Sequence, residues 1–151
     1  MSAAISDLTA HTGYWMRMIS NAVSQDFARR VAGEGVTVAE WVFLRALFDE
    51  RSLSPSLLAT KMAMTKGAIS KLADRLIEKG LVSRTEDETD RRAHHLALSA
   101  EGRAKVPQLA ALADANDAEA FGVLSAEDRA ELDRLLKLLV ERRGVSSVPV
   151  D

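Results

Sequence analysis

Apolar positions along this chain recur mostly at helical spacing, and one short stretch alternates as a strand does. Residues Ile5 to Val31 contain no proline and set Leu8, Trp15, Ile19, Ala22 and Val23 near helical spacing, which predicts one long first helix ended by Gly33 and Gly35. A second helix opens at Thr37-Val38-Ala39-Glu40, where the threonine and glutamate side chains can each satisfy a backbone N–H that helix geometry leaves unpaired. Trp41, Val42, Leu44, Ala46, Leu47 and Phe48 then spread apolar surface too far around this helix for one exposed face, so it belongs at the centre of the core.

Ser54-Pro55 places a capping serine before a proline at the first helical position, where the missing N–H is no loss, and a short third helix from about Pro55 to Met62 follows. After a turn through Ala63 and Met64, Thr65 caps a fourth helix whose Ile69, Leu72, Ala73, Leu76 and Ile77 keep an i, i+3, i+4, i+7, i+8 pattern. Gly80 stops it in the left-handed conformation, with Leu81 set for the accompanying apolar contact. Val82 and Arg84 lead into the polar tract Glu86 to Arg92, and His94, Leu96 and Leu98 then alternate with smaller or polar residues, the pattern of a hairpin with a charged tip. Ser99 caps a fifth helix, in which Pro107 is expected to produce a kink or a delayed start. Ser125 opens the last helix, with Leu132, Leu135, Leu136 and Leu139 as its stripe and Arg142-Arg143-Gly144 as its terminus, and Val145 to Asp151 is expected to fray.

Composition narrows the function. The 151 residues, 47% hydrophobic and 28% charged, suit one globular domain with a core of its own. No apolar run approaches the roughly 20 residues of a membrane span, and Met1 to Ala10 lacks the cationic start and apolar run of a secretory signal, so a cytoplasmic protein is expected. The absence of cysteine excludes disulfides, thiolate metal sites and thiol-based sensing. His94 and His95 adjoin in a strand and point to opposite faces, which with His11 alone remaining gives no metal site, and no cofactor is expected. Neither a Gly-x-Ser-x-Gly elbow, a phosphate loop nor a His-Glu-x-x-His helix occurs, so no enzyme is expected.

A net charge of −2 argues, taken globally, against a protein that coats nucleic acid. Distribution changes that picture, because Lys61, Lys66, Lys71, Arg75, Lys79 and Arg84 stand against only Asp74 and Glu78, a local surplus of four. With its apolar residues turned to the core, the fourth helix presents Lys66, Gly67, Ser70, Lys71 and Arg75 outward. Small residues near the N-terminus and cations along the face suit the DNA major groove. Arg91 and Arg92 at the hairpin tip suit the narrow minor groove, and Asp90 can orient one of them, although Glu86, Asp87 and Glu88 must point away from phosphate. Two short helices, a tight turn and a charged hairpin make a winged helix-turn-helix. The fold class is therefore mainly α (α+β), a winged helix-turn-helix lobe with a small β-hairpin wing between N- and C-terminal helices.

The run Lys71-Leu72-Ala73-Asp74-Arg75-Leu76-Ile77-Glu78-Lys79-Gly80-Leu81-Val82, followed by Arg84, Asp90-Arg91-Arg92 and Leu96-Ala97-Leu98-Ser99-Ala100-Glu101-Gly102, resembles the MarR family of transcriptional regulators over nearly the whole chain. The resemblance implies DNA contacts by Lys66, Gly67, Ser70, Lys71 and Arg75 and by Arg92 with Asp90 in the wing. It implies one domain over 1–151, with a DNA-binding lobe over about 37–99 and dimerisation helices over about 5–32 and 100–143. The partners so implied are double-stranded DNA and a second copy, in a ligand-responsive repressor on a pseudo-palindromic operator. Glu88 stands where many relatives carry a proline, which leaves both Arg91 and Arg92 as candidates for the minor groove. MarR relatives commonly bind aromatic acids beside the first helix, and His11, Tyr14, Trp15 and Arg17 supply aromatic surface and a cation for such an effector, with helix packing as the alternative for Trp15. The rival class is a winged-helix module that binds protein, against which the outward cations of the fourth helix argue.

Overall fold

The computed structural model describes residues 3–86, 89 and 94–146. A single 3₁₀ turn at Leu8–Ala10 precedes α1 (Thr12–Ala32), α2 (Val38–Phe48), α3 (Pro55–Met62), α4 (Lys66–Glu78), strands β1 (Val82–Glu86) and β2 (His94–Leu98), α5 (Ala100–Phe121) and α6 (Ala126–Arg143). The start signals act where the local chemistry puts them. Thr37 and Glu40 form the reciprocal capping box, and Ser54, Thr65, Ser99 and Ser125 each accept a backbone N–H three residues on. The stop at Gly80 is a Schellman turn: at φ 77° its N–H reaches Ile77 O at 3.0 Å, and the Leu81 N–H reaches Leu76 O at 2.9 Å.

Two expectations need correction. The first helix does not begin at Ile5, because His11 is extended (φ −99°, ψ 125°) and breaks the chain between the 3₁₀ turn and α1. Asp7 supplies no side-chain cap there, and the Trp15 indole N–H donates to Thr9 O at 2.9 Å, folding the leading segment back on the helix. Pro107 neither delays nor divides α5, which starts directly after Ser99 and runs through it. The proline and Arg103, whose carbonyl it leaves without an intrahelical donor, both lie on the exposed side, where water can take the donor's place. Of the tail expected to fray, Val145 and residue 146 lie in no regular element, and 147–151 lie outside the described residues.

The core is built around α2. Phe43, Leu44 and Leu47 are fully buried, against Leu58 and Met62 of α3, Ile69, Leu72, Ala73 and Leu76 of α4, and Leu96 of β2. The strands pair antiparallel from Val82 opposite Leu98 to Glu86 opposite His94, and Leu53, before α3, adds a bridge to Leu96 through N–H···O bonds of 2.9 and 2.8 Å. Val31 of α1 meets this core along with Val106 and Leu109 of α5. Asn116, buried on α5, donates to Val23 O at 3.2 Å, and ion pairs Arg30–Glu119 and Lys105–Glu34 join the α1 side to α5. At the α5–α6 corner, Arg129 binds Asp117 at 2.6 Å and lies over the Phe121 ring. No residue of α6 is buried, and Leu135, Leu136, Leu138 and Leu139 face outward along it.

Candidate DNA-binding surface

The fourth helix has a strict division of faces. Ile69, Leu72, Ala73 and Leu76 are buried, while Lys66, Gly67, Ser70, Lys71, Asp74 and Arg75 are exposed, as the apolar periodicity requires. Thr65 holds its first turn by accepting the Ala68 N–H at 3.1 Å. A Cβ built on Gly67 meets nothing nearer than the Thr65 hydroxyl at 4.0 Å, so the fold does not require glycine there and the bare backbone faces outward. The turn before the helix runs through Ala63 at φ 52°, left-handed for a residue with a side chain, with the Met64 N–H closing onto Ala59 O at 3.0 Å.

Pairing sorts the six basic residues of the 61–84 stretch. Lys61 pairs with Glu50 at 3.7 Å, Arg84 of β1 with Asp74 of α4 at 3.1 Å, and Lys79 with Glu40 at 2.8 Å. Lys66, Lys71 and Arg75 have no ion-pair partner among the described residues, and all three lie on the exposed face of α4. The charge available to an outside anion is thus narrower than the local surplus suggested, and it is concentrated on one helix. Asp90, Arg91 and Arg92 of the wing lie outside the described residues; the strands that carry them are tied to α4 by the Arg84–Asp74 pair.

The pairing of Lys79 with Glu40 gave no signal in the sequence, where Lys79 counted only toward the local basic surplus. Burial of the Glu40 carboxyl pushes its pKa up, but the bonds from Lys79 and from the Thr37 N–H and hydroxyl outweigh that and hold it below the ordinary 4.5. The only local clue was the capping box, which explains one of the roles of Glu40 and says nothing of Lys79. His11, Tyr14, Trp15 and Arg17 all fall at the start of α1, with the Tyr14 and Trp15 rings edge to face at 5.3 Å and Trp15 half exposed. In the single chain they form an open surface. A separate groove of about 380 Å³ on the outer side of α2 and α3 is lined by Trp41, Val42, Arg45 and Lys61 among others, with Arg45 paired to Asp49 and Lys61 to Glu50. Among the described residues no group of His, Asp and Glu could hold a metal ion, and no helix is long and apolar enough to cross a membrane.

A helix-turn-helix whose second helix shows an open cationic face, followed by a hairpin, defines a winged-helix DNA-binding protein. A sequence model of the MarR family matches residues 36–94. A transcriptional regulatory protein assigned to the hcr operon of Thauera aromatica is 30% identical over 133 residues, covering 87% of this chain and 80% of that one. The transcriptional repressor MdtR of Bacillus subtilis is 29% identical over 75% of this chain and 73% of its own. Among solved structures, a point mutant of Escherichia coli MarR complexed with operator DNA superposes with a TM-score of 0.73 at 24% identity, over 85% of this chain and 92% of that one. The chain belongs to the MarR family, and it is a DNA-binding transcriptional regulator.

Proposed function

We propose that the chain works in the cytoplasm as a homodimeric repressor, reading a pseudo-palindromic operator with one α4 helix in each of two successive major grooves. The observation that carries this reading is the set of unpaired cations on α4, in a chain whose other basic residues between 61 and 84 are engaged internally. Lys71 and Arg75 reach base edges or phosphate, Lys66 and Ser70 serve the helix N-terminal end, and Gly67 lets the backbone approach DNA closely. Asp90, Arg91 and Arg92 extend the contact into the minor groove from the wing. The lobe of about 37–99 reads, and the flanking segments of about 5–32 and 100–143 join two copies, which covers the apolar stripe that α6 leaves open.

The decisive measurement is binding to duplexes that the purified protein selects from its own genomic DNA. Lys71→Ala and Arg75→Ala keep the fold, and each weakens the selected duplex, by ~1–3 kcal/mol where a base contact is lost. Wild-type affinity in both variants would remove the case for this surface. Sedimentation at micromolar concentration reads the second half, and a folded monomer there contradicts the dimer.

For the effector, the aromatic pair and cation at Tyr14, Trp15, His11 and Arg17 favour a small aromatic acid, and linkage supplies the test. Operator DNA must weaken its binding by the same factor by which it weakens DNA binding. Calorimetry across a panel of aromatic carboxylates, repeated on Trp15→Ala and Arg17→Ala, measures both.

A further inference from the structure

The hydrogen bonds that tie α4 to the α1–α2 joint and to α5 converge on its C-terminal end. Lys79 Nζ lies 2.8 Å from Gly35 O, 2.9 Å from Glu40 Oε1 and 2.8 Å from Glu40 Oε2. The ammonium thus straddles the Glu40 carboxylate and also reaches the Gly35 carbonyl, so its charge is engaged at the α1–α2 joint. Gly35 sits in the left-handed turn that ends α1 (φ 80°), and Glu40, whose side chain is 1% exposed, also accepts the Thr37 N–H at 2.9 Å. The joint is thus fixed by its own bonds before Lys79 is added.

One residue further on, the same end of α4 is fastened to α5. The Ser99 hydroxyl donates to Gly80 O at 2.6 Å and its N–H to Leu81 O at 3.0 Å, while a Cβ on Gly102 would lie 2.0 Å from Leu81 O. The other end of α4 is held by apolar packing of Ile69 and Leu72, and among the described residues its side-chain hydrogen bonding is the Thr65 cap alone. A helix of 13 residues is about 20 Å long at ~1.5 Å per residue, so a tilt of about 5° about its C-terminal end displaces the N-terminal end by about 2 Å. That displacement compares with the length of a hydrogen bond, which base readout does not tolerate.

We propose that Lys79 is a positioning residue for operator reading, whose ammonium, bound to Glu40 and to the Gly35 carbonyl, fixes the tilt of α4 against the α1–α2 joint and with it the separation of the two recognition helices in the dimer. This role rests on the DNA-reading dimer proposed above. The cation touches no DNA; it acts through the pitch of the helix. Its partner is a desolvated carboxylate, so loss of Lys79 alone leaves an uncompensated buried charge, whereas loss of both charges does not.

The test uses duplexes that the wild-type protein selects from a random-sequence library, together with versions carrying one base pair more or fewer between the half-sites. Wild type, Lys79→Met, Glu40→Gln and the double variant Glu40→Gln/Lys79→Met are compared at a temperature where circular dichroism shows each folded. Lys79→Met should bind the selected duplex at least tenfold more weakly, and its preference for the selected spacing should fall at least threefold. Its affinity for an unrelated duplex should stay within twofold of wild type. The double variant, which keeps an acceptor for the Thr37 N–H, should recover much of the lost thermal stability and none of the spacing preference. An unchanged spacing preference in Lys79→Met overturns the proposal, whatever its melting temperature, and an equal loss on the unrelated duplex overturns it by showing a phosphate contact. A wild type that selects no sequence takes down the DNA-reading function and this role together, a pattern distinct from either.

Discussion

Within the lobe that carries α4, the three α2 residues Phe43, Leu44 and Leu47 are fully buried by neighbours from the same chain. On α6 the corresponding leucines, Leu135, Leu136, Leu138 and Leu139, remain between 38% and 49% exposed. Both helices are well capped and of ordinary length, so local propensity does not separate them. The separation is in what covers them, because α2 lies under α3, α4, α5 and β2, whereas α6 meets its own chain chiefly at the α5 corner. A capped helix of this length is marginal by itself in water. The lobe therefore has its core within one chain, whereas the leucines of α6 stay exposed in it.

The sharpest way to break this contrast is to hollow each side in turn. Phe43→Ala should cost about 3–5 kcal/mol at any protein concentration, as removal of a fully buried aromatic does. Leu139→Ala should cost less than this, most in concentrated solution, where a paired surface is populated, and least on dilution, where that surface is exposed in both proteins. Denaturant melts at two concentrations decide it, and equal, concentration-independent losses would end the comparison.

Next in size is the seam between the two regions. Gly102→Ala places a methyl group 2.0 Å from Leu81 O, so α5 or the end of α4 has to shift, at about 1–3 kcal/mol or somewhat more. Because the seam fastens α4, the same variant should also weaken DNA binding beyond what its stability explains. A Gly102→Ala protein with the wild-type melting temperature would show that the close approach is not maintained in solution.

A smaller effect is expected at the acid end of the pH range. The Glu40 pKa is lowered on folding, so its contribution is fully present above the ordinary 4.5 and is lost as pH falls through the folded-state value. Stability should therefore decline on acidification below about pH 5, and Glu40→Gln should flatten that limb while leaving the neutral region lower than wild type. Identical acid limbs in the two proteins would contradict the pairing with Lys79.

The smallest change should be a gain. Ala63 occupies the left-handed region at φ 52°, which costs a residue with a side chain about 1–2 kcal/mol, and glycine removes that cost while adding chain entropy to the unfolded state. Ala63→Gly is expected to stabilise by about 0.5 kcal/mol, seen as a slight rise in melting temperature confined to the lobe.

Much of this architecture was legible because its signals are local. The capping box at Thr37 and Glu40, the Ser54-Pro55 start, the Thr65 cap and the Gly80 stop each involve residues within a few positions, and each forms as read. The outward face of α4 was legible for the same reason, since 3.6-residue periodicity assigns faces without reference to the rest of the fold. Where signals compete, local reading failed. His11 interrupts a helical pattern that nothing in composition breaks, and Pro107 sits in a helix whose exposed side tolerates its missing donor. The bridge from Leu53 to Leu96 joins a linker to a strand 43 positions away, beyond any periodicity.

The sequence by itself determined the elements, their caps and the side of each helix that turns to the core, because hydrogen-bond satisfaction and apolar spacing act over a few residues. Only the tertiary structure decided which cations stay available for DNA. Charge pairing depends on separation in space, and Lys79 meets Glu40 across 39 positions and Arg84 meets Asp74 across 10, while Lys66, Lys71 and Arg75 face outward where the described fold brings no carboxylate to meet them.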